Sequence, residues 1–474
     1  MNHLRQIFED LSDAFPTPEE INNPALAIVQ SRPDDVLDLA HEKTHAYHYS
    51  HVPQIWGELY TEASIWKAAK LFKTRLPGWE TRIVQVLDRA LIMTPGIRRN
   101  EEIQRILVAL DGIVSYSPEG TLDRCEREDE TPPVKRRKLG DACDNVASEF
   151  TAMHPGFNIS TEHKIPVLEN PDYETFQKYL DPFQNSQGPI IITNHNAESR
   201  AFTHWQNPRY LLSKTLGGRR LVPVEVGRSY TDQDWKPEII PIGDLIKNYM
   251  LRESTPPSQK RVYLAQHDLF GQIPSLKEDV IDPIYCLAPS LYGETLNGTH
   301  KVESSYSRDN AHKATTTISL PPLTRNIWLG PSHTVSPLHH DSRNNILVQV
   351  FGYKYIRLYP RAHMAFLYPL STDVNGVDMS NTSRIDLDVV LQSDEIEGTG
   401  IGLDVSVGED PEDVKLARKT LDEEFPEFGK ARYVECVLGP GECLFIPQKW
   451  WHYVRSLTPS CSVSYWFGEE GDTL

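Results

Sequence analysis

The residues with the most specific chemistry lie in Ser336–Asp341, whose sequence is SPLHHD. If this segment is a strand, its side chains alternate between two faces, so His339 and Asp341 share one face and His340 points to the other. An imidazole and a carboxylate on one wall, joined by a second imidazole, form the three-ligand site of non-haem iron(II). Such a pair is common by chance, so its meaning depends on where the third ligand lies.

His452 is the candidate third ligand. It lies in Trp450–Tyr453 (WWHY), downstream of Pro440–Glu442 and of Ile446-Pro447. A strand at this position can return beside the first strand in a double-stranded β-helix. Taken alone, His452 is better interpreted as a hydrogen-bonded core residue, so the prediction rests on the two segments together.

Lys354 gives an independent indication, because it lies in the alternating run Tyr353–Tyr359. It shares a face with Ile356 and Leu358, so this face should point inward. A buried ammonium is costly without an anion, and the anion expected beside an iron site of this kind is the distal carboxylate of 2-oxoglutarate. The alternative is a lysine that reaches water at the end of a strand.

The elements that position these residues change in character along the chain. Residues 1 to about 120 show helical apolar spacing, broken at Pro77-Gly78 and Pro95-Gly96, which predicts a bundle of four to six helices. From about residue 160, short β-branched and aromatic runs predict an antiparallel sandwich or barrel. The predicted strands are Pro189–Thr193, Arg220–Val226, Arg261–Leu264, Ile346–Val350, Tyr353–Tyr359, Cys443–Pro447, Trp451–Leu457 and Cys461–Phe467. The predicted class is α+β, a helical bundle followed by a double-stranded β-helix.

Three regions follow from these patterns: a helical domain over 1–120, a charged linker over 121–160 and a catalytic domain over 161–474. In the linker, Pro133–Leu139 (PVKRRKL) resembles a nuclear-localisation signal, with an ordinary charged linker as the alternative. Nuclear localisation is therefore expected, with the cytoplasm as a second location. The catalytic domain carries an acidic insertion at about 371–432, expected to be a solvated loop. A second interpretation is that it overhangs the entrance of the site and attracts basic protein segments.

The helical region contains one catalytic motif. His41–His45 (HEKTH) matches the helix signature of zinc peptidases, with His48 on the same face. Two imidazoles one turn apart can bind zinc, with Glu42 as the general base. Lys43 places a cation where that motif is normally apolar, so a solvated histidine-rich face is the preferred interpretation. The helical domain itself is expected to bind a protein partner or to pack on the catalytic domain.

Composition excludes several classes. The chain has 474 residues and a net charge of −18, which argues against nucleic-acid binding over its whole surface. No apolar run approaches the length of a membrane-spanning helix. The six cysteines show neither metal-site spacing nor the density of a secreted scaffold. These features predict a soluble intracellular protein with no direct nucleic-acid or membrane binding.

Residues 165–467 resemble the Jumonji-C (JmjC, cupin-fold) iron(II)/2-oxoglutarate oxygenases, and within that family a branch of arginyl hydroxylases. The N-terminal helices show no motif that can be matched. The resemblance is carried by the order and spacing of six segments: Val222–Gly227, Tyr263–His267, Trp328–Pro331, Ser336–Asp341, Lys354–Tyr359 and Trp451–Arg455.

This resemblance implies a role for each matched residue. His339, Asp341 and His452 would bind iron. The 2-oxoglutarate site would consist of Lys354, Tyr263, Ser336 and Asn345, with Trp466 lining the pocket. The substrate pocket would contain Glu225 and Trp328, with Gln266 and Tyr230 nearby. A carboxylate and an indole face suit a guanidinium, although the same pair would also hold a methylated ammonium.

The resemblance implies an enzyme that uses iron(II), 2-oxoglutarate and O2 to hydroxylate a protein side chain, with arginine in a nuclear or chromatin-related protein as the preferred substrate. One alternative is a histone methyl-lysine demethylase. Another is a non-catalytic cupin scaffold, against which the intact triad and Lys354 weigh. The third is a zinc peptidase at His41 and His45, which would lose activity on His41→Ala and keep it on Asp341→Ala.

Overall fold

A computed structural model of the protein describes residues 1–13, 16, 21, 23–47, 51–114, 147, 149–150, 156, 159–180, 188–227, 235–251, 261–287, 323–372, 376–402 and 410–468. Tyr230, His48 and the basic segment Pro133–Leu139 lie outside these ranges. The chain folds into two compact units. The first unit comprises Met1–Thr151, Thr203–Val280 and Leu329–Thr334, and the second comprises Ala152–Phe202, Ile281–Trp328 and Val335–Leu474.

Helices and strands are both abundant, which confirms the α+β class. The described α-helices are α1 Asn2–Asp13, α2 Pro33–His45, α3 Gln54–Thr74, α4 Trp79–Met93, α5 Asn100–Val114, α6 Tyr173–Leu180, α7 Arg200–His204, α8 Pro208–Lys214, α9 Ile242–Asp244, α10 Leu269–Gln272, α11 Pro274–Lys277, α12 Leu387–Ile396 and α13 Pro411–Glu424. Short 3-10 helices occur at Pro24–Ile28, Thr161–His163, Ile284–Leu287, Arg361–Leu367 and Phe428–Lys430, and a π-helix follows α9 at Leu245–Met250. None of the helices in these ranges is long and apolar enough to cross a membrane.

The described strands alternate with these helices. They are β1 Val167–Glu169, β2 Ile190–Thr193, β3 Leu221–Val226, β4 Lys236–Pro241, β5 Val262–His267, β6 Thr324–Gly330, β7 Val335–His340, β8 Asn344–Phe351, β9 Lys354–Tyr359, β10 Val434–Leu438, β11 Cys443–Ile446, β12 Trp451–Ser456 and β13 Ser460–Phe467.

In the first unit, α1–α5 pack around one apolar cluster that includes Leu59, Ile83 and Ile106. The break predicted at Pro77-Gly78 is present, because Gly78 takes a left-handed φ of 74° immediately before α4. The helices are joined to an antiparallel ladder in which β3 pairs with both β4 and β5. Asp88 of α4 is fully buried and accepts hydrogen bonds from Arg220 Nε and from Leu221 N at 2.8 and 2.7 Å. The bundle and this sheet therefore share one core.

In the second unit, two sheets face each other. One has the strand order β1-β2-β11-β8-β13-β6, and the other is the four-stranded sheet β10-β9-β12-β7. Apolar residues of both sheets, including Leu347 and Leu444 from the first and Ile356 and Leu358 from the second, form the core between them. We call the face of the four-stranded sheet that points into this core its inner face and the opposite one its outer face. This arrangement confirms the predicted double-stranded β-helix.

The acidic insertion differs from its prediction. Its described part is not a solvated loop, because α12 and α13 pack on the outer face of the four-stranded sheet. Leu391 of α12 and Phe425 after α13 lie in a second apolar core with Tyr355 and Tyr453 of the sheet. The prediction was wrong because the density of acidic residues, many of them on the exposed side of α13, hides the sparse apolar positions that both helices bury.

Candidate iron centre

The three predicted metal ligands converge in the second unit. His339 of β7 and His452 of β12 are directly opposite in the antiparallel ladder. Asp341 follows β7, with one carboxylate oxygen 3.9 Å from His339 Nε2 and the other 3.8 Å from His452 Nε2. One ligand atom from each residue lies within 4.8 Å of the others. Within the described ranges, no other group of three such side chains comes this close together.

Backbone carbonyls fix the orientation of both imidazoles. His339 Nδ1 lies 2.7 Å from the carbonyl oxygen of Pro337, and His452 Nδ1 lies 3.0 Å from that of Trp450. A carbonyl oxygen only accepts, so each Nδ1 carries the proton and donates it. Both Nε2 lone pairs therefore point toward Asp341, the arrangement in which imidazole binds a metal.

The electrostatics of the triad also suit a cation. Burial lowers the pKa of His452 well below its usual value, and the nearby His339 lowers it further. This ring is therefore neutral, as a ligand must be. Burial also raises the pKa of Asp341, against the opposing effect of the His339 and His340 rings. A divalent cation beside Asp341 would reverse that shift by favouring the carboxylate.

The neighbouring His340 lies on the outer face, as strand alternation predicts. Its ring meets Trp451 edge-on, with 4.7 Å between ring centroids. Two adjacent histidines therefore have different environments, one in the metal site and the other in the packing behind it.

A β-bulge brings Ser336 to the inner face. β12 pairs His452 with His339 but Val454 with Ser336, so the register shifts by one residue between these pairs. Without the bulge, residues 336 and 339 would point to opposite faces, since their separation is odd. Pro337, which cannot donate to the ladder, is a sequence signal for such an irregularity.

Lys354 is the charged residue buried on the inner face of β9. It is 1% exposed and shares that face with Ile356 and Leu358. Burial lowers the pKa of Lys354 to about 7. A bound anion would restore the charge of this ammonium, which fits the predicted role in holding the distal carboxylate of 2-oxoglutarate.

The facing sheet supplies polar and aromatic side chains. Asn345 of β8 and Trp466 of β13 are opposite in their ladder. Asn345 Oδ1 is buried with no hydrogen-bond partner among the described residues. A buried amide oxygen without a donor is costly, so this atom and Lys354 both fit a polar ligand between the sheets. The donor set and these two groups are therefore compatible with iron and 2-oxoglutarate.

Trp328 lies on β6 in the same unit. Its Nε1 donates to Ser464 Oγ at 3.0 Å, which fixes the orientation of the indole. The ring is half-buried against the apolar cluster between the sheets. An aromatic face of this kind is therefore available in the same core that the triad faces.

The remaining predicted residues lie in the first unit, and their roles in the site stay predictions. Glu225 of β3 and Tyr263 of β5 are opposite in their ladder. Burial raises the pKa of Glu225, against a lowering contribution from Trp235. Gln266 is exposed, with a left-handed φ of 50°.

The peptidase-like motif forms a different structure from the triad. His41 and His45 are exposed on α2, with their rings stacked at 4.2 Å. His45 Nδ1 lies 2.8 Å from the carbonyl oxygen of His41. These contacts match the solvated histidine-rich face that was preferred from the sequence.

Sequence reasoning missed the polar residues behind the site. Asp388 of α12 contacts Tyr453 and Arg455 of β12, and Glu435 of β10 contacts Arg357 of β9. Arg357 and Arg455 alternate with inward-facing residues on strands that are buried on both faces. A buried arginine needs a counter-charge, so these two residues were the sequence signal for carboxylates behind the site.

Comparison with known proteins agrees with this geometry. A family model described as a cupin-like domain matches residues 176–473. Lysine-specific demethylase 8 of Danio rerio is 33% identical over 436 residues, which cover 91% of this chain and 86% of that protein. Lysine-specific demethylase JMJ30 of Arabidopsis thaliana is 30% identical over 95% of this chain and 88% of its own length. Jumonji C domain-containing protein 5 of Drosophila melanogaster is 29% identical over 91% and 85%, respectively.

The fold and the triad define the class, a cupin-type protein with a non-haem iron site. The matches make the assignment specific: the chain belongs to the cupin-like JmjC family and is an iron(II)/2-oxoglutarate-dependent oxygenase. When bound, iron(II), 2-oxoglutarate and O2 supply the oxidising chemistry. His339, Asp341 and His452 are the residues that would hold the metal.

Proposed function

We propose that this oxygenase hydroxylates a protein side chain and that arginine is its substrate residue. The observation that carries this proposal is Trp328, whose indole is fixed by Ser464 within the core that the triad faces. A flat guanidinium stacks on an indole face and keeps its donors free for a carboxylate. Glu225, a half-buried carboxyl, is the partner for those donors that the family resemblance proposes.

The other predicted site residues have proposed roles in binding 2-oxoglutarate or the substrate. Lys354 would hold the distal carboxylate of 2-oxoglutarate with the help of the Ser336 hydroxyl. Asn345 and Tyr263 would complete its polar contacts, and Trp466 would line the pocket. Gln266 and Tyr230 remain proposed substrate contacts. The substrate would be a protein or peptide segment that carries the arginine.

The test is product mass on a panel of arginine peptides with iron(II) and 2-oxoglutarate. We expect one added oxygen on arginine, absent with Asp341→Ala. Trp328→Ala should raise the KM for peptide, whereas Trp328→Phe should recover most of it because the aromatic face remains. Uncoupled 2-oxoglutarate turnover without peptide should persist in both Trp328 variants. An oxygen added to another residue type would overturn the arginine assignment.

A second candidate is removal of a methyl group from lysine. It is favoured by the names of two of the relatives above, which are lysine-specific demethylases. The same triad would serve this reaction, since hydroxylation of an N-methyl carbon is followed by loss of formaldehyde. Formaldehyde release from methyl-lysine peptides, without oxygen gain on arginine, would favour it. A chain that binds neither metal nor 2-oxoglutarate would instead be a scaffold.

We also propose a nuclear setting and a partner for the N-terminal helices. The support is the basic segment Pro133–Leu139 in an otherwise acidic chain. Replacing its four basic residues by alanine in a fluorescent fusion should shift the protein to the cytoplasm. Unchanged nuclear accumulation would contradict this signal.

A further inference from the structure

We infer that Asp388, carried by the acidic insertion, is a positioning residue for the metal ligand His452. Asp388 lies on α12 and is 2% exposed. Its Oδ1 accepts a hydrogen bond from Arg455 Nη1 at 3.0 Å and another from the Tyr453 hydroxyl. One carboxylate oxygen from the insertion thus binds two side chains of the strand that carries His452.

The placement of these two side chains gives the contact its significance. On β12, Tyr453 and Arg455 point to the outer face, while His452 and Val454 point to the inner face. Asp388 therefore holds β12 from behind, at the two positions on either side of Val454. Any rotation of the strand about its axis that redirected the His452 imidazole would have to break at least one of these contacts.

The strand needs this support because its ladder is irregular at that point. The bulge in the β7–β12 ladder lies between His452 and Val454, so Tyr453 has no regular partner on β7. On the other side, the β12–β9 ladder continues without interruption through Tyr453. A bulge increases local twist and frees one residue from pairing. That extra residue lies on β7, where three steps from His339 to Ser336 oppose two steps on β12. The Asp388 contact fixes the side chain of Tyr453, which lies opposite the bulge, and with it the geometry that brings His452 and Ser336 to one face.

The energetics also indicate placement rather than stability. The Arg455 and Asp388 side chains are only 4% and 3% exposed. Desolvation offsets most of the attraction in such a buried pair, so an apolar pair of the same size would stabilise the fold at least as well. The ion pair instead holds the Asp388 and Arg455 side chains in one defined arrangement. The insertion therefore contributes to the scaffold of the metal site as well as covering a sheet.

The test measures metal binding and needs no substrate. Metal-free protein is titrated with Co(II) by calorimetry, and the ligand-field absorption of bound Co(II) is recorded. We expect Asp388→Ala to bind Co(II) about tenfold more weakly, the lower end of the effect of residues that orient metal ligands, with an altered absorption spectrum. Asp388→Asn keeps an acceptor oxygen and should recover most of the affinity.

Glu435→Ala is the matched control. Glu435 is another buried carboxylate on the outer face, paired with Arg357 at 3.1 Å, and its hydrogen bonds go to β9. We expect this variant to lose stability while keeping wild-type Co(II) affinity and spectrum. Tyr453→Phe removes a single hydrogen bond and provides a test if Asp388→Ala does not fold, with an expected several-fold loss of affinity.

Wild-type affinity and spectrum in Asp388→Ala, or in Tyr453→Phe if the former is unfolded, would overturn the inference. So would an equal loss of affinity in Glu435→Ala, which would indicate a general effect of loosening the sheet. The inference rests on the metal site and is independent of the proposed arginine substrate. Asp341→Ala separates the two, because it should abolish Co(II) binding whatever the substrate is.

Discussion

The two faces of the four-stranded sheet are built from alternate residues of the same strands, but the charged side chains on the two faces have different surroundings. The inner face presents His339, His452 and Lys354 to the space between the sheets. The outer face pairs its arginines with carboxylates, Arg357 with Glu435 and Arg455 with Asp388. The outer face thus supplies carboxylates for its arginines, whereas the inner face gathers the residues proposed to bind iron and 2-oxoglutarate.

Lys354 and Arg357 show the difference on a single strand. Burial lowers the pKa of Lys354 to about 7. Burial also acts to lower the pKa of Arg357, but Tyr355, Tyr359 and Glu435 outweigh it and raise that pKa well above its usual value. Arg357 further lies over the ring of Tyr433 at 4.1 Å. The neighbours of Arg357 therefore hold this buried cation in its charged form, whereas burial outweighs the surroundings of Lys354.

The largest expected effect of breaking the inner face comes from Asp341→Ala. It removes the only anionic ligand of the triad, so Co(II) or iron(II) affinity should fall by more than about 100-fold, beyond the effect of residues that merely orient ligands. Calorimetric titration measures this loss, and the folded state is checked by thermal unfolding. Metal binding close to wild type would place the iron elsewhere.

The next largest effect is expected from Lys354→Met, which keeps the length of the side chain and removes the charge. We expect 2-oxoglutarate affinity to fall by about 10- to 100-fold, since a charge-assisted contact is lost. Stability should rise, because a buried ammonium is removed. At and below pH 7 the gain should be roughly 3–5 kcal/mol in the absence of ligand.

The pH dependence follows from the direction of the Lys354 shift. Between about pH 7 and pH 10 the unfolded chain binds a proton at this lysine and the folded chain does not, so this group makes the wild type more stable as pH rises. The advantage of Lys354→Met should therefore shrink over this range. Binding of 2-oxoglutarate requires the charged amine, so wild-type affinity should fall above pH 7. An advantage of constant size from pH 7 to pH 10 would contradict the assignment.

Breaking the outer face at Glu435, away from the Asp388 contact with β12, should change stability and leave metal binding intact. Glu435→Gln leaves Arg357 buried without its full counter-charge, which we expect to cost about 3 kcal/mol of unfolding free energy. Denaturant unfolding measures this cost. The affinities for Co(II) and 2-oxoglutarate should stay within about twofold of wild type, and a large loss of either would remove the distinction between the two faces.

The sequence predicted the inner face well because strand alternation is a local rule. His339, Asp341 and the inward direction of Lys354 follow from it directly. Ser336 does not, since its odd separation from His339 is corrected only by a bulge that depends on pairing with β12. The role of Asp388 could not be predicted from the sequence for another reason. Its partners, Tyr453 and Arg455, are distant in the chain, and the surrounding acidic residues resemble a solvated loop. Long-range pairing and the packing of α12 on the sheet decide both cases.

The smallest effect is expected at His340, which tests the comparison between adjacent residues of one type. Its ring packs edge-on against Trp451, and its Nδ1 has no hydrogen-bond partner among the described residues. Burial lowers the pKa of His340, so a neutral ring is already the preferred form.

His340→Phe keeps that ring contact and should change the unfolding free energy by less than about 1.5 kcal/mol, with Co(II) affinity within about twofold of wild type. His339→Phe, one residue earlier, should lose most of its metal affinity because it removes a ligand. If both variants lost metal equally, His340 would face the site, and the alternation on which the two faces depend would be wrong at the strand where the chemistry lies.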